Sequence, residues 1–252
     1  MRVIQNGDLI TLEESDCDAK GWMNGNGVFE TIRTVDNKPW AMSRHMRRAV
    51  SSAQQSGFRI PSEDLIRSAV EELCQSEKHP HGLLRLSFGQ QGNWSAVHLP
   101  YEPVTHGAKL LTYDKEIAVH GMPVKSYPYG HRLEILEAVK ALGADEALVC
   151  NDKGKVCEGS VTNLLLRIDG KWVTPPISDG VLAGVMRALV IEYCGVSVRS
   201  VDRSEIPLVQ SAFLLSSLRI AQPVTSIDGR ELKQSPDFLS EIEAMALRTS
   251  VG

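Results

Sequence analysis

Four groups of residues, well separated along the chain, carry groups that could do chemistry. Lys125 follows a short apolar stretch at 122–124. Partial burial lowers the pKa of a lysine, so that the neutral amine becomes a nucleophile able to form a Schiff base. Glu158 lies between two predicted strands, where a carboxylate could face a ring nitrogen and keep it protonated. A helix predicted to begin near Gly184 presents N–H groups that suit a phosphate. Ser217 follows an apolar predicted strand as a candidate hydroxyl ligand.

Each feature alone has an ordinary structural explanation, since most lysines are solvated and every helix has an N-terminus. Together, the amine, the carboxylate and the phosphate-binding groups suit an anionic aldehyde cofactor. The sequence contains no P-loop, GxGxxG, HExxH or GxSxG motif. That absence removes the commonest nucleotide-binding, metalloprotease and hydrolase interpretations.

The composition indicates a soluble globular protein that needs neither disulfides nor a metal to fold. Of the 252 residues, 42% are apolar and 23% charged, values ordinary for a folded chain of one or two domains. The net charge of −4 gives no general affinity for nucleic acid, and no apolar run approaches the roughly 18 residues of a membrane span. The five cysteines form no CxxC pair, so we expect reduced thiols, a cytoplasmic protein and no metal site.

Turn and capping signals predict the first elements of the chain. Asn6-Gly7, between two apolar runs, predicts a hairpin with a type I′ turn, and residues 27–33 alternate as a strand does. Ser43 and Ser62 are each predicted to cap a helix.

Later segments predict a second set of elements and a boundary before them. The segment 99–107 has two prolines and a glycine, and is predicted to link a smaller N-terminal domain, residues 1–103, to a larger C-terminal domain, residues 104–252. A helix is predicted over 132–142, and a last helix begins with Ser235 at the N-cap and Pro236 at the first position. The elements do not alternate as regular βαβ units, which favours an α+β fold.

Seven segments in order resemble the class IV aminotransferase family, the pyridoxal-phosphate enzymes of fold type IV. These are 25–33 (GNGVFETIR), 45–48 (HMRR), 143–148 (GADEAL), 154–163 (GKVCEGSVTN), 174–176 (TPP), 182–187 (LAGVMR) and 216–219 (SSLR). The family includes branched-chain aminotransferases, D-amino acid aminotransferases and aminodeoxychorismate lyases. The resemblance implies a two-domain α+β fold, pyridoxal 5'-phosphate bound between the domains, and a homodimer acting on a small-molecule substrate.

The resemblance also implies roles by position. Lys125 would hold the cofactor as a Schiff base and then act as acid and base. Arg48 would pair with the cofactor phosphate through its planar fork, and Glu158 would accept a hydrogen bond from the pyridinium nitrogen. The remaining phosphate ligands would be the backbone N–H groups of Val185 and Met186 and the hydroxyl of Ser217.

The position of the catalytic lysine depends on the alignment. Without gaps, Lys125 matches the family's lysine, 21 residues before Glu146. A competing register aligns residues 131–134 (HRLE) with a similar tetrapeptide of some lyases and places Pro128 at the catalytic position, which leaves no Schiff base. The ungapped register is preferred. Lys140 lies inside a predicted helix and is expected to be solvated.

The length and the pairs Ser217-Leu218 and Pro223-Val224 most resemble the lyases. The leading hypothesis is therefore conversion of 4-amino-4-deoxychorismate to 4-aminobenzoate and pyruvate, in folate biosynthesis. Two alternatives stay open: a transaminase of branched-chain or D-amino acids, and a non-catalytic family member. A transaminase would need an arginine for the carboxylate of a 2-oxo acid, and Arg33, Arg85 or Arg219 could serve.

Overall fold

The chain folds into two compact units. The structure is a computed structural model that describes residues 1–118 and 121–250. The first unit comprises Met1–Pro103, the short segment Val124–Pro128 and, among the described residues at the end of the chain, Ser250. The second comprises the described parts of Val104–Pro123 and Tyr129–Thr249.

A seven-stranded antiparallel sheet and two helices make up the first unit. Its strands are β1 (Arg2–Gln5), β2 (Asp8–Thr11), β3 (Gly27–Val35), β4 (Lys38–Pro39), β5 (His81–Gly89), β6 (Trp94–Pro100) and β8 (Ser126–Tyr127). Its helices are α1 (Met42–Gln55) and α2 (Glu63–Ser76). The strand order is β2-β1-β6-β5-β3-β4, and β8 pairs with β3 at the edge.

The sheet of the first unit has one face covered by both helices. The predicted hairpin is confirmed, because Asn6 and Gly7 both have positive φ, as the turn requires. Alternate residues of the strands point toward the helices and join α1 and α2 in one apolar core. Its members include Ile4, Val28, Ile32, Met46, Ala49, Leu73, Leu84, Leu86, Phe88 and Trp94.

The predicted helix starts are right for α2 and wrong for α1. The Ser62 hydroxyl accepts a hydrogen bond from the backbone N–H of Leu65 at 3.4 Å, as an N-cap should. The N-cap of α1 is instead Ala41, which has a left-handed conformation. Ser43 lies within the first turn, where its hydroxyl accepts a bond from Arg67 at 2.6 Å.

An eight-stranded mixed sheet and three helices make up the second unit. Its strands are β7 (Ala108–Thr112), β9 (Glu146–Leu148), β10 (Asn163–Ile168), β11 (Lys171–Thr174), β12 (Ser197–Val198), β13 (Ser211–Ser216), β14 (Ile220–Ile227) and β15 (Arg230–Glu231). Its helices are α3 (Gly130–Lys140), α4 (Val185–Tyr193) and α5 (Pro236–Arg248). The strand order is β12-β11-β10-β13-β14-β7-β9, with β15 on β14.

Parallel and antiparallel pairs coexist in this second sheet, which confirms the α+β class. β7 pairs in parallel with both β14 and β9, while β10, β13 and β14 are antiparallel. The prediction that Ser235 and Pro236 begin the last helix is confirmed. Helix α3 lies two residues earlier than predicted. No helix in the described parts of the chain is long and apolar enough to cross a membrane.

Candidate active site

A buried ion-pair network joins α1 to β3 in the first unit. Glu30 lies on β3 and is fully buried. Arg48 donates to both of its carboxylate oxygens, through Nε at 2.7 Å and Nη2 at 2.5 Å. His45, one helical turn before Arg48, donates from Nδ1 to the same carboxylate at 2.7 Å. The bidentate contact fixes the plane and direction of the Arg48 guanidinium.

The network sets the charge state of its members. Burial favours the neutral form of Glu30, but the charge and hydrogen bonds of Arg48, helped by His45, lower the pKa of Glu30 to about 2. Burial lowers the pKa of His45, and the positive charges of Arg48 and Lys125 act in the same direction. The group is therefore a carboxylate paired directly with a guanidinium, with an imidazole that donates to the same carboxylate.

Lys125 lies beside this strand because β8 pairs with β3. Its carbonyl accepts a hydrogen bond from the backbone N–H of Phe29 at 2.9 Å. Its Nζ lies 4.4 Å from the centroid of the Phe29 ring, an arrangement in which the ring attracts a cation. The side chain is half-buried. The amine of Lys125 is thus held against an aromatic wall.

The two other positions considered for the catalytic lysine, Pro128 and Lys140, differ from Lys125 in chemistry and surroundings. Pro128 is exposed and carries no amine. Lys140 is exposed at the end of α3 and pairs with the exposed Glu137 at 3.1 Å. Of these three residues, Lys125 alone combines an amine with a half-buried position.

In the second unit, the buried carboxylate of Glu158 is held by donors that include a guanidinium, a side-chain amide and a backbone N–H. Its carboxylate accepts bonds from Arg132 Nη2 at 2.8 Å, from Asn163 Nδ2 at 2.9 Å and from the backbone N–H of Leu182 at 3.0 Å. The residue is only 5% exposed. Charge-assisted contacts of this kind fix the direction of a buried carboxylate. Glu158 can therefore act as a positioned hydrogen-bond acceptor.

Arg132 is a site residue that the sequence analysis did not identify as a partner of Glu158. It lies 26 residues from Glu158 in the chain and joins it only because α3 begins at Gly130. One feature of the sequence could have indicated this role. Arg132 lies in the first turn of α3, where the helix dipole does not stabilise a cation, so its position suggests an acidic partner elsewhere.

The turn that carries Glu158 is organised around a second, fully buried carboxylate. Glu146 accepts bonds from the backbone N–H and the hydroxyl of Ser160, and from the Thr162 hydroxyl at 3.3 Å. Arg219 Nη1 lies 3.7 Å from the same carboxylate. Glu146 thus fixes the turn between Glu158 and β10.

The start of α4 lies next to this turn. Asn163 donates to the Leu182 carbonyl at 3.0 Å, and Gly184 approaches Asn163 so closely that a side chain there would collide with it. Gly184 is the N-cap of α4 and provides no side-chain cap. The first N–H groups of the helix, including those of Val185 and Met186, cannot be paired within the helix itself and suit an anion. Ser217 is buried just after β13.

Each unit contains chemical groups of the kinds that a cofactor with an aldehyde, a basic ring nitrogen and a phosphate requires. The first unit has the amine of Lys125, and the second has the buried carboxylate of Glu158. Cationic and N–H donors for a phosphate are present at Arg48 and at the start of α4. No group of three or more metal-ligating side chains occurs among residues 1–118 and 121–250.

Comparison with known proteins identifies the family. Residues 27–227 match the model of amino-transferase class IV. The chain belongs to the class IV aminotransferase family. It is therefore a pyridoxal-phosphate enzyme, an aminotransferase or an aminodeoxychorismate lyase.

Individual members of the family show how broad its activities are. The chain is 24% identical to a D-alanine aminotransferase of Bacillus licheniformis, covering 100% of this chain and 97% of that protein. It is 24% identical to a bifunctional aminodeoxychorismate lyase / D-amino acid transaminase of Mycobacterium tuberculosis, covering 85% and 86%. A branched-chain aminotransferase structure from Thermoproteus uzoniensis superposes with a TM-score of 0.86 at 25% identity, covering 100% and 96%. Family membership alone leaves the substrate open.

Proposed function

We propose that the protein is an aminodeoxychorismate lyase that converts 4-amino-4-deoxychorismate to 4-aminobenzoate and pyruvate in folate biosynthesis. The observation that carries the proposal is the aromatic surrounding of the Lys125 amine. Nζ lies over the Phe29 ring, and the Trp22 ring is in edge contact with Phe29 at 4.8 Å. Aromatic walls favour a flat cyclic substrate over a small aliphatic one.

Bound pyridoxal phosphate would supply an aldehyde that condenses with amines and a protonated ring that accepts an electron pair. Lys125 Nζ is the amine that would hold the cofactor aldehyde in the absence of substrate. With substrate bound, the same amine would remove the proton from the substrate carbon that bears nitrogen. The ring C–O bond then breaks, and the enolpyruvyl group leaves as enolpyruvate, which takes up a proton to become pyruvate. The six-membered ring becomes aromatic, and this gain drives the step.

The other residues would position the cofactor and balance the charges of its ring nitrogen and its phosphate. Glu158, whose carboxylate is held by Arg132, Asn163 and the Leu182 N–H, would accept the ring N–H and so keep the ring nitrogen protonated. Arg48, whose plane is set by Glu30, would face the phosphate. Val185 and Met186 N–H groups and the Ser217 hydroxyl would complete the phosphate site.

A second candidate is a transaminase of D-amino or branched-chain amino acids. The observation that favours it is that similar proteins include transaminases, among them a D-alanine aminotransferase. The same residues would serve, but the proton would be returned to the cofactor carbon.

The test measures both products from 4-amino-4-deoxychorismate with the protein loaded with pyridoxal phosphate. We expect equal amounts of 4-aminobenzoate and pyruvate from the wild type and from Lys140→Ala, and none from Lys125→Ala. Borohydride reduction should attach the cofactor to Lys125. Product release by Lys125→Ala would overturn the assignment of the lysine. Absence of release, together with amino-group transfer from D-alanine to 2-oxoglutarate, would favour the transaminase.

We also propose that the protein is a homodimer, as the resemblance to the family implies, and that it is located in the cytoplasm, as the unpaired cysteines suggest. Sedimentation equilibrium should then give twice the 27.7 kDa mass of the chain.

A further inference from the structure

The segment that joins β11 to α4 is tied down at both ends. At its far end, the Leu182 N–H donates to the Glu158 carboxylate at 3.0 Å, and the Leu182 carbonyl accepts a bond from Asn163 Nδ2, also at 3.0 Å. At its beginning, the Pro175 carbonyl accepts a bond from Arg187 Nη2 at 2.8 Å. Because Arg187 belongs to the first turn of α4, this last bond holds the beginning of the segment next to the start of the helix.

Arg187 carries its charge in an unfavourable place. The residue is only 5% exposed, and it is the third residue of α4, where the helix dipole repels a cation. Its Nε is buried and has no hydrogen-bond partner. Burial lowers the pKa of Arg187, and the charge of Glu158 acts in the opposite direction. A buried guanidinium of this kind costs free energy unless an anion offsets its charge.

Glu158 offsets that charge only in part. Its carboxylate is paired directly with Arg132 Nη2 at 2.8 Å, whereas it acts on Arg187 through its charge and not through a hydrogen bond. Two guanidiniums therefore share one carboxylate. This arrangement leaves positive charge at Arg187 for a second anion.

The local geometry places the charge of Arg187 at the N-terminal end of α4. Side chains of a helix point toward its N-terminus, and a Cβ atom on Gly184, the N-cap, would lie 3.4 Å from the Cβ atom of Arg187. The stem of Arg187 thus runs beside the N-cap, and the bond to the Pro175 carbonyl sets the direction of its guanidinium. Its charge adds to the positive potential of the first N–H groups, which include those of Val185 and Met186.

We propose that Arg187 is a positioning residue for the cofactor phosphate, because its buried charge strengthens the binding of a phosphate group at the first N–H groups of α4. This inference rests on the part of the proposed function that assigns the phosphate to the start of α4, and it does not depend on the lyase reaction. The chemistry recognised is that of a phosphate dianion, whether it is free or attached to the cofactor ring.

The test compares three ligands by calorimetry with the full chain freed of cofactor. The ligands are pyridoxal 5'-phosphate, pyridoxal, which lacks the phosphate, and inorganic phosphate. Arg187→Gln keeps a donor for the Pro175 carbonyl but removes the charge. We expect it to weaken both phosphate ligands by about tenfold, the effect of one charge acting over several ångströms inside a protein, and to leave the affinity for pyridoxal unchanged.

Two further variants separate the charge from the fold. Arg187→Lys retains the charge and should restore most of the affinity for both phosphate ligands. Arg230→Gln is the matched control, since the exposed Arg230 also donates from Nη2 to a backbone carbonyl, that of Ile206 at 3.0 Å, and it should bind all three ligands as the wild type does. If Arg187→Gln does not fold, Arg187→Met gives the same comparison, because apolar side chains of similar size often replace buried charges without loss of stability.

An unchanged affinity of the neutral variant for both phosphate ligands would overturn the proposal. So would an equal loss for pyridoxal and pyridoxal 5'-phosphate, or an equal loss in Arg187→Lys, since either result would assign Arg187 a purely structural role. If the wild type itself binds pyridoxal 5'-phosphate no more tightly than pyridoxal, the proposed phosphate site fails. If the wild type and the neutral variant prefer the phosphate ligand equally, only the role of Arg187 fails. Release of 4-aminobenzoate tests the lyase reaction separately from all these outcomes.

Discussion

Glu30 is the residue at which the charges of the first unit converge. Its side chain is fully buried, yet it is ionised because a guanidinium and an imidazole donate to it. The same contacts that stabilise the carboxylate determine where Arg48 points. A structural ion pair therefore also orients a group proposed to bind the cofactor phosphate.

Replacing Glu30 with Gln should destabilise the protein and change its acid sensitivity. The substitution leaves Arg48 without its buried carboxylate, which we expect to cost about 3 kcal/mol of unfolding free energy. Since the folded-state pKa of Glu30 is lowered from 4.5 to about 2, its contribution is fully present above about pH 4.5 and is lost as the pH falls toward 2.

Urea unfolding between pH 2 and 7 measures this effect. The difference between wild type and Glu30→Gln should be largest at neutral pH and shrink toward pH 2. Glu134→Gln, at an exposed carboxylate of α3, is the control and should behave as the wild type. A difference that does not vary with pH would show that Glu30 is not held ionised by its partners.

At the scale of elements, the two-residue strand β8 decides where the proposed catalytic amine lies. The segment 124–128 lies in sequence between two stretches of the second unit, but it belongs to the first unit. There it pairs with the beginning of β3, at Gly27 and Val28. Gly27, its partner, lies so close to the Phe88 carbonyl and the Tyr127 ring that a methyl group would collide with both. The absence of a side chain at Gly27 lets β8 dock.

Gly27→Ala should therefore disturb the docking of β8. We expect a loss of about 1–3 kcal/mol in unfolding free energy, the usual cost of overpacking, and a slower reaction of Lys125 with pyridoxal phosphate. Stopped-flow absorbance after cofactor addition follows that reaction. Gly130→Ala adds the same methyl group where no atom lies within 4 Å and should leave rate and stability unchanged. Equal rates in all three proteins would argue against a positioning role for β8.

The sequence predicted elements where the signal is local. Asn6-Gly7 fixes a hairpin through its own backbone preferences, and Ser62 caps α2 through a bond three residues away. It did not predict β8, because two residues carry no periodicity and the pairing depends on a strand about 100 residues earlier. The Ser43 cap was wrong because the chain turns at Ala41 in a left-handed conformation that an alanine does not signal.

The same distinction applies to the candidate site. Motif residues such as Arg48 and Glu158 could be proposed from resemblance. Their partners Glu30 and Arg132 are 18 and 26 residues away in sequence, and only the packing of β3 on α1 and the start of α3 brings each pair together. Trp22 lay in a segment without helical or strand pattern, so nothing in the sequence distinguished it from a loop residue.

At the scale of the whole molecule, each unit has its own apolar core. Leu84 and Trp94 belong to the core of the first, and Leu166 and Leu214 to that of the second. Residues proposed for the cofactor occur in both units, with Lys125 and Arg48 in one and Glu158 and Ser217 in the other. If they serve the same cofactor molecule, a substitution in either unit should weaken its binding.

Binding that favours the folded chain raises its stability by mass action. At a cofactor concentration 100 times the dissociation constant the gain is about 2.7 kcal/mol, which corresponds to a rise of roughly 5–10 °C in Tm for a chain of this size. We expect that rise in the wild type and less than half of it in both Lys125→Ala and Glu158→Gln, measured by differential scanning calorimetry with pyridoxal phosphate. Lys140→Ala, at an exposed lysine of α3, should show the full rise. A full rise in Glu158→Gln would remove that residue from the cofactor site, whereas a full rise in Lys125→Ala would show that binding is dominated by the phosphate and ring contacts.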